Sequence, residues 1–190
     1  MTSLFVLMLA TAPEAPAAPV APAPVAAKVF RLGPHAGTMK FQAYSRLTDP
    51  LGSFGSWRGT VTVPGTDLSK AVIDVSVEIS TINTANTKRD THLQNSDFFN
   101  VPKWPLATFK AKGMKALGKN RYRVSGALTM MGVTKPVSFP ATVTLRGGKL
   151  VVKADFKIDR TQWGMTGYLS SFSVNPIKKK VRVFFGLTAK

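Results

Sequence analysis

Leu150-Val151-Val152-Lys153-Ala154-Asp155-Phe156-Lys157-Ile158-Asp159 alternates apolar and polar residues. Leu150, Val152, Ala154, Phe156 and Ile158 share one phase, and Lys153, Asp155, Lys157 and Asp159 share the other. Successive side chains of a strand point to opposite faces, so this stretch reads as a strand with one buried and one wet face. The period recurs on both sides of it. Upstream, Met39, Phe41 and Ala43 alternate with Lys40 and Gln42, and Ile73, Val75, Val77 and Ile79 with Asp74, Ser76 and Glu78. Tyr122, Val124, Gly126, Leu128 and Met130 follow, then Val137, Phe139, Ala141, Val143 and Leu145, while Val181, Val183, Phe185 and Leu187 close the chain. With weaker runs at Trp57–Val63 and Leu106–Met114, about eight strands are predicted. Short turn signals such as Pro64-Gly65, Gly118-Lys119-Asn120 and Gly147-Gly148 make neighbours antiparallel. Eight such strands sharing one inner face suit a closed barrel, which leaves no exposed edge; a two-sheet sandwich is the alternative.

One segment, Asn83 to Phe99, breaks the alternation. Thr87-Lys88-Arg89-Asp90 predicts a short helix with Thr87 at the N-cap and the Asp90 carboxylate accepting from freed backbone N–H groups. The fold class is therefore all-β, an eight-stranded antiparallel barrel with one or two short helices.

Composition bounds the rest. A chain of 190 residues, 44% hydrophobic, supplies one globular domain. The absence of cysteine excludes disulfides, thiolate nucleophiles and Cys-ligated metals. Lys and Arg number 26 against nine Asp and Glu, and the only ionisable side chain before Lys28 is Glu14, so the positive field belongs to the folded part. Such a field favours anionic partners: nucleic acid, acidic lipid or an envelope surface, or a ligand ending in phosphate. Lys178-Lys179-Lys180 is its densest run, or else a plain solvated turn. The apolar run Leu4 to Ala10 is far shorter than the about 18 residues of a membrane span and resembles the core of a secretory signal, although Met1-Thr2-Ser3 carries no basic side chain. From Thr11 to Ala27, 13 of 17 residues are Ala or Pro, readable as a cleavage region, a semi-rigid tether or a featureless linker. Residues 1–27 are thus assigned to a signal-like segment and linker, and 28–190 to the barrel, with export to the periplasm or beyond expected.

Several segments in order form a distinctive series: Ile79-Ser-Thr-Ile-Asn-Thr84, Lys88-Arg-Asp-Thr-His-Leu93, Asp97-Phe-Phe-Asn100 with Trp104-Pro105, Gly126-Ala-Leu-Thr-Met-Met-Gly-Val-Thr-Lys-Pro-Val137, and Ile158-Asp-Arg-Thr-Gln-Trp-Gly164. The series resembles the YceI family over roughly Lys28 to the C-terminus. His35 in Gly33-Pro34-His35-Ala36 resembles the family's first-strand motif, with Ala36 where a Ser commonly follows, and Tyr44 to Ser53 lacks a second His often found there. The resemblance implies an extended lipocalin-like barrel, usually periplasmic, whose interior takes up a polyisoprenoid chain such as a polyprenyl phosphate or a quinone tail.

A binder of that kind needs a deep apolar tunnel with a few polar groups at its mouth. Phe41, Val75, Phe109, Leu128, Phe139, Phe156 and Phe185 are the lining candidates, and the alternation serves a filled core equally well. Arg89 and His92, on the helical break, could face a ligand's phosphate or carbonyl end, or be structural, with Arg89 paired to a neighbouring acid. Arg160 joins the candidates as a group bracing the barrel end, packed on the face of Trp163. Gly126 and Gly164 read as a sharp bend or a close approach.

Catalysis has little material: two histidines, no Gly-x-Ser-x-Gly elbow, no His-Glu-x-x-His helix and no phosphate-cradling Gly-rich loop. A metal site from His35, Asp90 and His92 lacks ligand-type spacing. A non-catalytic carrier or sequestering protein is expected, with a non-covalently held isoprenoid lipid or quinone and no further cofactor or metal; a homodimer is compatible with the sequence. The rival reading is a polyanion- or nucleic-acid-binding basic β-domain with a filled core, against which stands the placement of most Phe residues on the buried phase.

Overall fold

The computed structural model describes residues 26–169 and 175–190. The signal-like run and most of the Ala/Pro-rich segment lie outside the described residues. Among the described residues, eleven strands form one antiparallel sheet: β1 (Ala27–Leu32), β2 (Gly37–Gln42), β3 (Leu51–Phe54), β4 (Trp57–Pro64), β5 (Val72–Glu78), β6 (Ile82–Asn83), β7 (Leu106–Gly118), β8 (Arg121–Met130), β9 (Val133–Arg146), β10 (Lys149–Asp159) and β11 (Lys180–Ala189).

The pairings show why eleven strands make eight passes. β1 and β2 are halves of one pass broken by a 3-10 turn at Pro34–Ala36, and β5 and β6 are halves of another broken at Ile79–Thr81. β3 and β4 are parted by Gly55-Ser56 alone. The first pass pairs with the second through β1·β4 and β2·β3, and the second with the third through β4·β5 and β3·β6. β5 pairs with β7, and the meander β7 to β11 continues strand by strand. β11 then returns to β2, so the ring of pairings closes. Closure satisfies the edge hydrogen bonds that a sandwich would expose.

Register carries the inner phase around the ring. Val75 stands opposite Phe109, which stands opposite Leu128. Phe41 and Phe156 both oppose Val183, and Phe185 lies between Met39 and Ala154. In β7 the register slips between Ala111 and Met114, a bulge that bends the strand around the barrel. Gly126 faces this bend as a close approach: a Cβ there would come within 2.7 Å of Phe109 Cζ.

The two ends differ. At one, the links are short: 65–71, 119–120 and 147–148, with the chain entering at Ala26 and leaving at Lys190. Phe30, Val63 and Leu150, essentially without exposure, pack this end shut. At the other end run the connections 43–50, 84–105 and 160–179, with the tight turn 131–132. The helix α1 (Thr87–Leu93) lies in the second of these. It starts where the sequence predicts, but its N-cap is Asn86, extended at φ −151°, whose side-chain oxygen accepts from the Arg89 N–H at 3.0 Å. Thr87 is already helical, and Asp90 does not close a capping box. Its carboxylate instead turns out of the helix to accept from the Thr84 N–H at 2.9 Å and from the Thr84 hydroxyl.

Candidate functional site: an apolar cavity beneath a polar rim

Above the packed end, the inner phase encloses a cavity of about 570 Å³. All seven apolar candidates from the sequence contribute to its wall: Phe41, Val75, Phe109, Leu128, Phe139, Phe156 and Phe185. Phe139 and Phe156 stack with centroids 4.1 Å apart and planes 7° apart, and Phe109 leans on Phe139 at 5.6 Å. Phe41 meets Phe54 at 5.4 Å. Of the two interiors the alternation allows, hollow or filled, the barrel has the hollow one. These phenyl rings face inwards, so they are not presented as an external platform on which bases could stack.

The polar part of the wall lies at the open end. Thr84, Lys88, Arg89 and His92 come from the 84–105 connection, Tyr168 and Asn175 from the 160–179 connection, and Arg160 from its start. Arg89, half-buried, is held by Thr84: its Nε donates to Thr84 Oγ1 at 2.8 Å and its Nη2 to the Thr84 carbonyl at 2.7 Å. Thr84 is buried and also bound by Asp90, so it knots strand β6 to α1. No carboxylate pairs with Arg89 among the described residues, contrary to one of the sequence alternatives.

His92 is engaged as well. Its Nε2 lies 2.8 Å from Asp97 Oδ2, and the ring sits edge-on to Phe98 at 5.2 Å and Tyr168 at 5.5 Å. Asp90 and His92 thus have separate partners, and among the described residues no three His, Cys, Asp or Glu side chains are grouped to hold a metal ion.

Arg160, in the 3-10 turn Arg160–Trp163, is 4% exposed. It does not pack on Trp163, whose indole Nε1 donates to the Leu128 carbonyl at 3.0 Å. Its guanidinium lies 5.9 Å from the Phe98 ring centroid and donates to the carbonyls of Met165 and Gly167, each at 2.7 Å, and of Ile177 at 3.2 Å and Lys178 at 3.3 Å. Burial draws this guanidinium below its usual range, opposed by the neighbouring Asp159. Asp159 is itself held low, chiefly by the Thr161 hydroxyl donating at 2.6 Å. Gly164 is no strand bend: it ends the 3-10 turn in the left-handed region, φ 85°.

Many further wall residues lie on the inner phase of the strands, and those that sequence reasoning had no means to place lie in the connections, among them Lys88, Leu93, Phe98 and Tyr168. No two-residue period runs through those segments, so nothing marks their inward face. Lys88 stands next to Arg89 in the quoted helical motif, and its charge is the one available signal. Among the described residues it has no ion-pair or hydrogen-bond partner, and it is exposed at the rim.

A closed antiparallel ring of eight passes, packed at one end and hollow above it, defines a lipocalin-like barrel. The profile of the YceI-like domain matches residues 30–189, and this chain belongs to the YceI family. A UPF0312 protein of Yersinia pestis (strain Pestoides F) is 32% identical over 151 residues, which cover 78% of this chain and 69% of that protein. BcnA of Burkholderia cenocepacia shares the fold with a TM-score of 0.73 at 20% identity, covering 81% of this chain and 96% of BcnA. A polyisoprenoid-binding domain from Saccharophagus degradans, implicated in plant cell wall breakdown, superposes with a TM-score of 0.68 at 16% identity, over 85% of this chain and 97% of that domain.

Proposed function

We propose that the protein is a non-catalytic carrier or sequestering protein of the cell envelope, holding one isoprenoid-type lipid chain in the barrel with its polar end at the rim. The observation that carries this reading is the cavity itself. Its volume of about 570 Å³ lies within the range of about 300–1,000 Å³ typical of small-molecule sites, and its wall is apolar except at the mouth. Such a wall favours a hydrocarbon by removing apolar surface from water, at roughly 25 cal/mol per Å². That a domain of the same fold from Saccharophagus degradans is described as polyisoprenoid-binding supports the ligand class. A binding rather than catalytic role is supported by membership of the YceI family and by the polyisoprenoid-binding domain of the same fold.

The test is native mass spectrometry of protein purified from envelope extract, followed by solvent extraction, then delipidation and reloading with a polyprenyl phosphate or a quinone. A one-to-one adduct released as a prenyl lipid, and reloading of the stripped protein, is the expected result. Folded apo protein that takes up neither compound would overturn the proposal.

A further inference from the structure

The charges outside the cavity are sorted between the two ends of the barrel. Of the nine acids, Glu14 precedes the described residues, and Asp74 and Asp155 stand on the outer wall. Asp49, Glu78, Asp90, Asp97 and Asp159 lie at or beside the open end. Only Asp67 belongs to the closed end, and Lys70 is 3.6 Å from it.

The cations are not sorted in the same way. The closed end gathers Lys28, Lys115, Lys119, Arg121, Arg146 and Lys149, all exposed and none within ion-pair distance of a carboxylate among the described residues. They come from three separate segments joined by the topology. Lys115, Lys119 and Arg121 occupy the β7–β8 hairpin, which packs on β9 through a bond from the Val143 N–H to the Asn120 carbonyl at 2.8 Å. Arg146 and Lys149 face each other across the β9–β10 hairpin. Lys28 joins them by donating from Nζ to the Gly148 carbonyl at 3.0 Å. Leu117, 41% exposed, projects from the tip of the β7–β8 hairpin between Lys115 and Lys119.

The chain also enters here. The Ala26 carbonyl accepts from the Gly65 N–H at 3.0 Å, so residues 1–25, with the apolar run Leu4 to Ala10, join the barrel at its closed end. An exposed leucine set among unpaired cations is the surface chemistry that an anionic bilayer attracts, the cations to headgroups and the leucine to the interface. The Lys178-Lys179-Lys180 run, denser in sequence, stands at the end that holds five acids and beside Asp159, which pairs in the sheet with Lys180.

We propose that the closed end is a docking surface for an anionic phospholipid bilayer, with the β7–β8 hairpin against the headgroups and the cavity mouth turned away from that surface. The chain has no cysteine, so the orientation can be read directly on the full chain with single Leu117→Cys and Leu47→Cys variants carrying an environment-sensitive fluorophore. With vesicles containing phosphatidylglycerol, the label at 117 should shift to the blue and the label at 47, on the open end, should not; phosphatidylcholine vesicles should move neither. Each surface cation near an anionic membrane contributes about fivefold in partition. The triple variant K115Q/K119Q/R121Q should therefore bind phosphatidylglycerol vesicles about a hundredfold more weakly, and K178Q/K179Q/K180Q far less so. A response at 47 in place of 117, equal weakening by the two triple variants, or no preference for phosphatidylglycerol overturns the proposal. So does release of the protein from vesicles by an equal charge concentration of duplex DNA, which would mark a nucleic-acid surface instead.

Discussion

Replacing Arg160 with Met should destabilise the protein by about 2–4 kcal/mol, because the guanidinium ties together both flanks of a connection of the open end. Met165 and Gly167 lie before residues 170–174, and Ile177 and Lys178 lie after them. The two 2.7 Å bonds are charge-assisted, worth about 1.5–3 kcal/mol each, and the two longer ones add little. Against this gain stands the desolvation of a charge that is 4% exposed and has no carboxylate bonded to it among the described residues, which holds the net figure below the sum. Met keeps most of the volume, so the loss reports the bonds and not a cavity. Urea unfolding followed by circular dichroism measures it, with a lower midpoint and an unchanged slope expected. Arg160→Lys should recover less than half, since one ammonium cannot reach four carbonyls spread around a planar fork. Hydrogen exchange supplies a local reading: the Ile177 N–H, bonded to the Tyr168 carbonyl at 2.8 Å, should lose protection first. A Met variant within about 0.5 kcal/mol of the wild type, with the Ile177 amide still protected, would refute the reasoning.

Ala107→Phe, on the cavity wall, should fill part of the space and lower prenyl-lipid uptake more than tenfold in a reloading titration, while the overpacking cost stays within about 1–3 kcal/mol. Lys88→Gln should weaken a prenyl phosphate roughly fivefold, the upper range for an exposed ion pair, and leave a neutral quinone unchanged; competition titrations separate the two. Asp155, bonded by Arg182 Nε at 2.8 Å and by its Nη2, is held below its usual value of 3.8 chiefly by that contact. Its folded pKa is depressed, so its contribution to stability is present above about pH 4 and is lost as pH falls through the folded value. The stability gap between wild type and Asp155→Asn should be flat from pH 7 to 5 and close below pH 4; a gap that widens on acidification would count against the assignment.

The barrel wall was readable from sequence because a strand's period names the face of each residue without reference to its partners. Val75, Phe109 and Leu128 lie on three strands, and each declares its inward phase through its own neighbours. The breaks were not readable. At Gly55-Ser56 the chain leaves the sheet for two residues, and at Pro34–Ala36 and Ile79–Thr81 it makes 3-10 turns, so the short strands β1, β3 and β6 that these breaks cut off fall outside the alternating runs. Side chains in the connections were harder still. Arg160 is bound by residues five to eighteen positions away, and its neighbour Trp163 by Leu128, so spacing suggested a stack that does not form. Asn86 and Thr87 are both good N-cap residues, and only the extended backbone of Asn86 decides between them.

The same bonds shape what the cavity can recognise. Arg89 and His92 read in sequence as groups that could face a phosphate or carbonyl end, and Arg160 as a brace, yet each is committed: Arg89 to Thr84, His92 to Asp97, and Arg160 to four backbone carbonyls. Donors already bonded to protein offer a headgroup only what remains after those bonds are kept or broken, and breaking them would loosen α1 or the 160–179 connection. Under the proposed function, selection would then rest chiefly on the fit of a hydrocarbon chain to the aromatic wall, where removal of apolar surface is non-directional and tolerant of chain ends. Lys88, unpartnered among the described residues and exposed at the rim, is left as the flexible charge that can favour an anionic terminus without excluding a neutral one. The rim cations therefore build the mouth, and under the proposed function it is the phenylalanines of the wall that would select the ligand.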